Sequence, residues 1–195
     1  MQPPNAPSPT SSSSDPNASL TNWLGVAIAT CAGVGTIPLA PGTFGSLVGV
    51  LLFFPLANLG VFLYSAAVLA VCGVGVWASD RAEVVFSQKD DGRIVIDELA
   101  GQLIALAPLV WLAGMRGSAT SALAESAAPA VSESVFFSLV VTGFVAFRVF
   151  DITKPGAVGW AEKSFSGGVG VMADDCVAGV FGAALLAAPI AIILW

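Results

Sequence analysis

Two pairs of adjacent carboxylates interrupt otherwise apolar sequence. Asp97-Glu98 stands between Ile94-Val95-Ile96 and Leu99-Ala100-Gly101, and Asp174-Asp175 stands between Val171-Met172-Ala173 and Cys176-Val177. One such pair is accounted for by helix capping, since acids near a helix N-terminus gain about 0.3–1 kcal/mol from its dipole. Two pairs at the same depth of one bundle repel each other unless a cation lies between them, and hard oxygen donors in that number suit magnesium better than zinc. Acids this close to hydrocarbon are costly, and their default reading is functional. Asp97, Glu98, Asp174 and Asp175 are therefore the candidate metal ligands.

A third element supplies cations. In Arg148-Val149-Phe150-Asp151-Ile152-Thr153-Lys154-Pro155, the spacing places Arg148, Asp151 and Lys154 near one face of a helix end. The bland reading is dipole complementation before a proline stop. Next to four or five acids, however, an arginine fork and a lysine point charge are what a phosphate-metal site needs. The turn Pro41-Gly42-Thr43-Phe44-Gly45-Ser46 offers hydroxyls and free N–H groups at a helix start, so Thr43, Gly45 and Ser46 are candidate phosphate contacts. Gly167-Gly168-Val169-Gly170 is either a hinge or a second phosphate-approach loop.

The rest of the composition narrows the chemistry. The 195 residues include no histidine, which removes imidazole as base, phosphate carrier or ligand. Cys31, Cys72 and Cys176 lack C-x-x-C spacing and read as small apolar side chains, and none is followed by an arginine at the spacing a thiol phosphatase requires. A net charge of -6 gives no electrostatic footing for nucleic acid.

Only 10% of residues are charged and 56% are hydrophobic, against roughly a quarter charged in soluble domains. The chain reads as an all-α, polytopic membrane bundle in a single domain covering 21–195. Residues 1–20, rich in Pro, Ser and Asn, are expected to be a disordered tail, and 114–134 a flexible linker of Ala, Ser, Gly and Pro. Apolar segments fall at 23–37, 47–56, 61–78, 99–113, 135–147 and 176–195. Only the third and last approach the ~20 residues of a full span. About five membrane-associated helices are expected, at least one short or re-entrant. If successive spans alternate direction, the acids, the 41–46 turn and six of the seven basic residues share one side, with Arg116 opposite. That side is then cytoplasmic.

Taken together, these blocks resemble one family, the bacterial magnesium-dependent phosphatidylglycerophosphatase A. The matching residues are Gly35-Thr36-Ile37-Pro38 with Pro41-Gly42-Thr43-Phe44-Gly45-Ser46-Leu47, Ile94-Val95-Ile96-Asp97-Glu98 with Gly101, Phe147-Arg148-Val149-Phe150-Asp151 with Lys154-Pro155, and 167–175 with Ala178-Gly179. The resemblance spans roughly 22–190. It implies a multi-pass protein of the bacterial inner membrane whose site faces the cytoplasm. The implied reaction converts phosphatidylglycerophosphate to phosphatidylglycerol and inorganic phosphate during phospholipid biosynthesis. The oligomeric state is not legible.

On this reading Asp97, Glu98, Asp174 and Asp175, with Asp151 as a further candidate, hold one or two Mg²⁺ ions, while Arg148 and Lys154 neutralise the transferring phosphoryl group. Water attack and an aspartyl-phosphate intermediate both remain open. A rival class is an ion-coupled transporter or channel lined by the same acids. Against it, the acids cluster at one interface and no inverted repeat is visible. A non-catalytic scaffold would tolerate Asn and Gln at all four acids.

Overall fold

The computed structural model describes residues 16–118 and 132–194. Among them are seven helices: α1 (Pro16–Ala29), α2 (Pro41–Ala57), α3 (Gly60–Phe86), α4 (Ile96–Ser118), α5 (Glu133–Thr153), α6 (Ala157–Ser164) and α7 (Gly167–Leu194), with a single 3₁₀ turn at Val34–Thr36. The all-α expectation holds. Within α3, α5 and α7 lie three stretches long and apolar enough to cross a bilayer, Gly60–Phe86, Glu133–Thr153 and Gly167–Ala191, and two shorter apolar helices, Ala18–Ala29 and Pro41–Ala57, complete the five. At 17 residues, α2 is only about 25 Å long, short of a ~30 Å hydrocarbon core.

Several boundaries differ from the sequence expectation. Helix α1 takes in residues 16–20 of the expected tail, and α4 reaches Ser118 while α5 begins at Glu133, so both ends of the expected linker are helical. Residues 1–15 and 119–131 lie outside the described residues. The glycine run at 167–170 is not a loop: it is the first turn of α7, which places Asp174 and Asp175 about two turns in and not at the start. Backbone polarity explains the extension, because a helix carries its own hydrogen bonds into an apolar medium and a glycine loop there would leave them unmet.

Helix α4 is the core. It touches α2, α3, α5 and α7, and Leu99, Ala100, Leu103, Ala105, Leu106 and Val110 are all buried. Small residues let its neighbours close in, as in membrane bundles generally. On α2, Gly42, Gly45 and Gly49 face Glu98, Val95 and Gln102 so closely that a Cβ at any of them would collide. Where α4 meets α7, Gly101 lies against the Asp175 carbonyl and Gly179 against the Gly101 carbonyl. Pro55, Pro108 and Pro189 sit inside helices, which a packed membrane bundle tolerates better than a soluble helix does.

The start of α4 is fixed from outside. The Val95 N–H donates to the Ala29 carbonyl at the end of α1 and the Ile94 N–H to Asp91. Asp91 grips Arg93 as a fork, at 2.7 Å to Nε and 2.8 Å to an Nη. The Arg93 guanidinium lies 3.7 Å from the centre of the Phe86 ring at the end of α3. The segment between α3 and α4 is thus tied to both α1 and α3 immediately before the first acidic pair.

Candidate metal and phosphate site

Four helix ends converge at one end of the bundle: the N-terminal turns of α2, α4 and α7 and the C-terminal turn of α5. Asp97 and Glu98 lie in the first turn of α4, Asp97 and Asp175 are buried, and Glu98 is nearly so. One oxygen from each of Asp97, Glu98 and Asp175 lies within 4.8 Å of the other two. Asp97 Oδ1, Glu98 Oε2 and Asp175 Oδ2 are buried with no hydrogen-bond partner among the described residues. Three carboxylates crowded together with unpaired buried oxygens are a place where a cation would be stabilising, since burying each charge alone costs several kcal/mol. Hard carboxylate oxygens, with no nitrogen or sulfur donor among the three, can hold a metal ion such as an alkaline-earth dication.

Asp174 is not the fourth member of that group. Its carboxylate accepts from Lys154 Nζ at 2.9 Å, and the same ammonium donates to Glu162 of α6 at 2.7 Å. Adjacent residues point about 100° apart on a helix, so Asp174 and Asp175 address different partners. Although its partial burial works the other way, the bonds to Glu162 and Asp174 hold the Lys154 ammonium above the ordinary lysine range.

Lys154 itself adopts a left-handed conformation, φ 44°, as the residue closing α5 before Pro155. That turn swings it back across the bundle end towards α7. An ammonium has three donors; two are spent on carboxylates and the third remains.

Arg148 connects the other elements. Its Nη1 pairs with Asp151 at 2.6 Å and lies 3.4 Å from the Ser46 hydroxyl of α2, while its Nε is buried without a partner among the described residues. Asp151 in turn is close enough to interact with both Glu98 and Asp175. The guanidinium therefore sits beside the carboxylate group with donor capacity unspent.

The 41–46 turn is placed at the site, though each residue has its own task. Ser46 is fully buried and its hydroxyl donates to the Gly42 carbonyl at 2.9 Å. Gly45 packs on Val95 and Glu98, a helix contact and not an open cradle, and Gly42 lies against Glu98 Oε1 and Arg148. Thr43 is half-buried in the first turn of α2.

Two contributors went unread in the sequence. Glu162 is an exposed acid on a short helix, and nothing in its neighbours marks it as the partner of Lys154. Gln102 did carry a signal: it is an amide four residues after Glu98 within an apolar run. It is fully buried, and neither its Oε1 nor its Nε2 has a partner among the described residues. Asp80 of α3 accepts the Gly168 N–H at 2.6 Å and so caps the start of α7. The three cysteines are unbridged, with Cys72 and Cys176 in contact, sulfur to sulfur at 3.8 Å.

Comparison with known proteins adds to this geometry. The family model described as phosphatidylglycerophosphatase A matches residues 27–190. A Bacteroides thetaiotaomicron protein provisionally named a phosphatidylinositol-3-phosphatase is 34% identical over 171 residues, covering 85% of this chain and 93% of that protein. The phosphatidylglycerophosphatase A of Escherichia coli is 31% identical over 154 residues, covering 79% of this chain and 76% of its own. That of Haemophilus influenzae is 28% identical over 150 residues, covering 76% and 78%. No solved structure matches the chain significantly.

Proposed function

Because the chain belongs to the phosphatidylglycerophosphatase A family, whose members are membrane-embedded lipid phosphatases, we propose that it hydrolyses the terminal phosphate of phosphatidylglycerophosphate. The products are phosphatidylglycerol and inorganic phosphate, and the reaction runs at the cytoplasmic face of a bacterial inner membrane. The observation that carries this reading is the trio Asp97, Glu98 and Asp175, whose unpaired buried oxygens lie beside the Arg148 guanidinium.

Asp97, Glu98 and Asp175 would hold Mg²⁺. When bound, the ion supplies Lewis acidity at the phosphoryl group and lowers the pKa of water.

The chain's own residues do the rest. Arg148, braced by Asp151, sets its guanidinium charge against phosphate oxygens. Lys154, held by Asp174 and Glu162, directs its remaining N–H at the same charge. The hydroxyl of Ser46 supports the guanidinium from α2. Burial of the acids keeps bulk water from competing for the same oxygens.

The test is phosphate release from phosphatidylglycerophosphate in detergent, with and without Mg²⁺, by wild type and Asp175→Asn. Metal-dependent release that Asp175→Asn loses by more than a hundredfold is expected. A folded wild type that releases no phosphate under any metal condition sinks the enzyme reading. The same assay carries a second substrate, phosphatidylinositol 3-phosphate, because the relative from B. thetaiotaomicron bears that activity in its name. The higher kcat/KM decides between the two headgroups.

A further inference from the structure

Below the acids, an apolar groove of about 510 Å³ opens between α3 and α7 with α4 as its floor. Its floor residues Ile104, Pro108 and Trp111 continue, at helical spacing, the stripe that begins with Asp97 and Gly101. On the α7 wall Val180, Ala183 and Ala187 continue from Cys176, the residue after Asp175; on the α3 wall Ser65 and Val68 lead up to Cys72. The Cys72–Cys176 contact, 3.8 Å between sulfurs, therefore separates groove from acids. The groove is not a separate feature of the surface but the same face of α4 followed deeper into the bundle.

We propose that this groove seats one acyl chain of the phospholipid whose phosphate lies at the acidic trio, an inference that rests on the lipid-phosphatase reading. Three observations select a hydrocarbon chain. The lining is almost wholly apolar, and the one phenol in it is already spent, Tyr64 donating to the Leu103 carbonyl at 2.6 Å. The concavity comes from small residues, Ala107, Ala183, Ala184 and Ala187, between larger neighbours that are themselves open to the outside, Leu69 at 72% and Val180 at 58% exposure. A chain can therefore enter sideways from the bilayer. From Asp97 to Trp111 is fourteen helical steps, about 21 Å, enough to follow a chain through one leaflet of about 15 Å with the headgroup at the acids.

The test compares kcat/KM for phosphatidylglycerophosphate carrying dioleoyl or dihexanoyl chains, in mixed micelles at fixed surface concentration. Ala184→Phe and Ala187→Phe, which fill the groove, lower the long-to-short ratio at least tenfold. Val145→Phe, in the separate depression between α5 and α7, leaves the ratio unchanged. A ratio that the groove variants do not move, or that Val145→Phe lowers equally, overturns the proposal. Wild type inactive on both chain lengths refutes the phosphatase reading instead.

A readout that does not depend on the variants folding is wild-type protein photolabelled with a phosphatidylglycerol bearing a diazirine at mid-chain. Label on α4 and α7 peptides within 104–111 and 180–187 supports the groove. Label spread evenly over the lipid-facing surface, or crosslinks at those residues between two copies of the chain, overturns it.

Discussion

At the residue scale, the site divides its charges into two groups with separate tasks. Asp97, Glu98 and Asp175 crowd together with oxygens unpaired, while Asp174 and Glu162 are occupied by Lys154. The lysine's pKa sits above its ordinary value, which fixes the sign of its pH dependence. A raised folded-state pKa means that its contribution is complete below about pH 10.4 and is lost only as pH rises through the higher folded value. Lysine deprotonation therefore puts no limb on the activity profile between pH 6 and 9. Lys154→Arg should keep that profile, and Lys154→Met should lose roughly ten- to a hundredfold in kcat/KM across it, the worth of a charged hydrogen bond. A wild-type loss that grows steadily over the window and disappears in Lys154→Arg would contradict the raised pKa.

Among elements, α4 is where the sequence was most informative and α7 where it misled. The acids of α4 do open its first turn, because an apolar run with carboxylates at its head has one helical solution. The start of α7 was placed seven residues or more too late, since glycines punctuate soluble sequences but extend helices in an apolar medium. Tight helix contacts are likewise invisible in composition: the sequence holds 21 glycines, and only geometry separates those that matter. At Gly101 an added Cβ would stand 2.6 Å from the Asp175 carbonyl and meet the Phe147 ring, whereas at Gly73 it would meet nothing. Gly101→Ala should lower the unfolding midpoint in detergent, an overpacking penalty of about 1–3 kcal/mol, and disturb activity with it. Gly73→Ala should be neutral or stabilising by up to about 1 kcal/mol. Equal midpoints for the two variants would refute the packing role assigned to the α4–α7 contact.

For the whole molecule, alternation of apolar segments was enough to foresee one crowded end. The basic residues Arg81, Arg148 and Lys163 lie in the C-terminal parts of α3, α5 and α6, and Lys89, Arg93 and Lys154 in the segments that follow α3 and α5, which motivates the proposed cytoplasmic orientation. Ser87, exposed at the end of α3, reports on it directly. With Cys31, Cys72 and Cys176 replaced by Ala, Ser87→Cys should react with a membrane-impermeant maleimide in inverted vesicles and not in intact cells. Labelling in intact cells would reverse the orientation. What no sequence pattern could reveal is which acid serves which partner, because Asp174 and Asp175 are chemically identical and differ only in direction.

That direction is set well away from the acids themselves. Gly168 is held to Asp80 by its N–H and lies so close to the Val76 carbonyl that a side chain would not fit; further along, Gly179 is keyed into α4. Helix α7 is thereby indexed at its start and near its middle, on either side of the two aspartates, like a key cut to enter a lock in one rotation. Its angular phase, and not the mere presence of two aspartates, assigns one to the acidic trio and the other to Lys154. The pair is thus a two-letter word whose meaning depends on position, and adding one residue between Gly168 and Asp174 would carry Asp174 into the place of Asp175 and turn Asp175 about 100° past it without altering the chemistry of either.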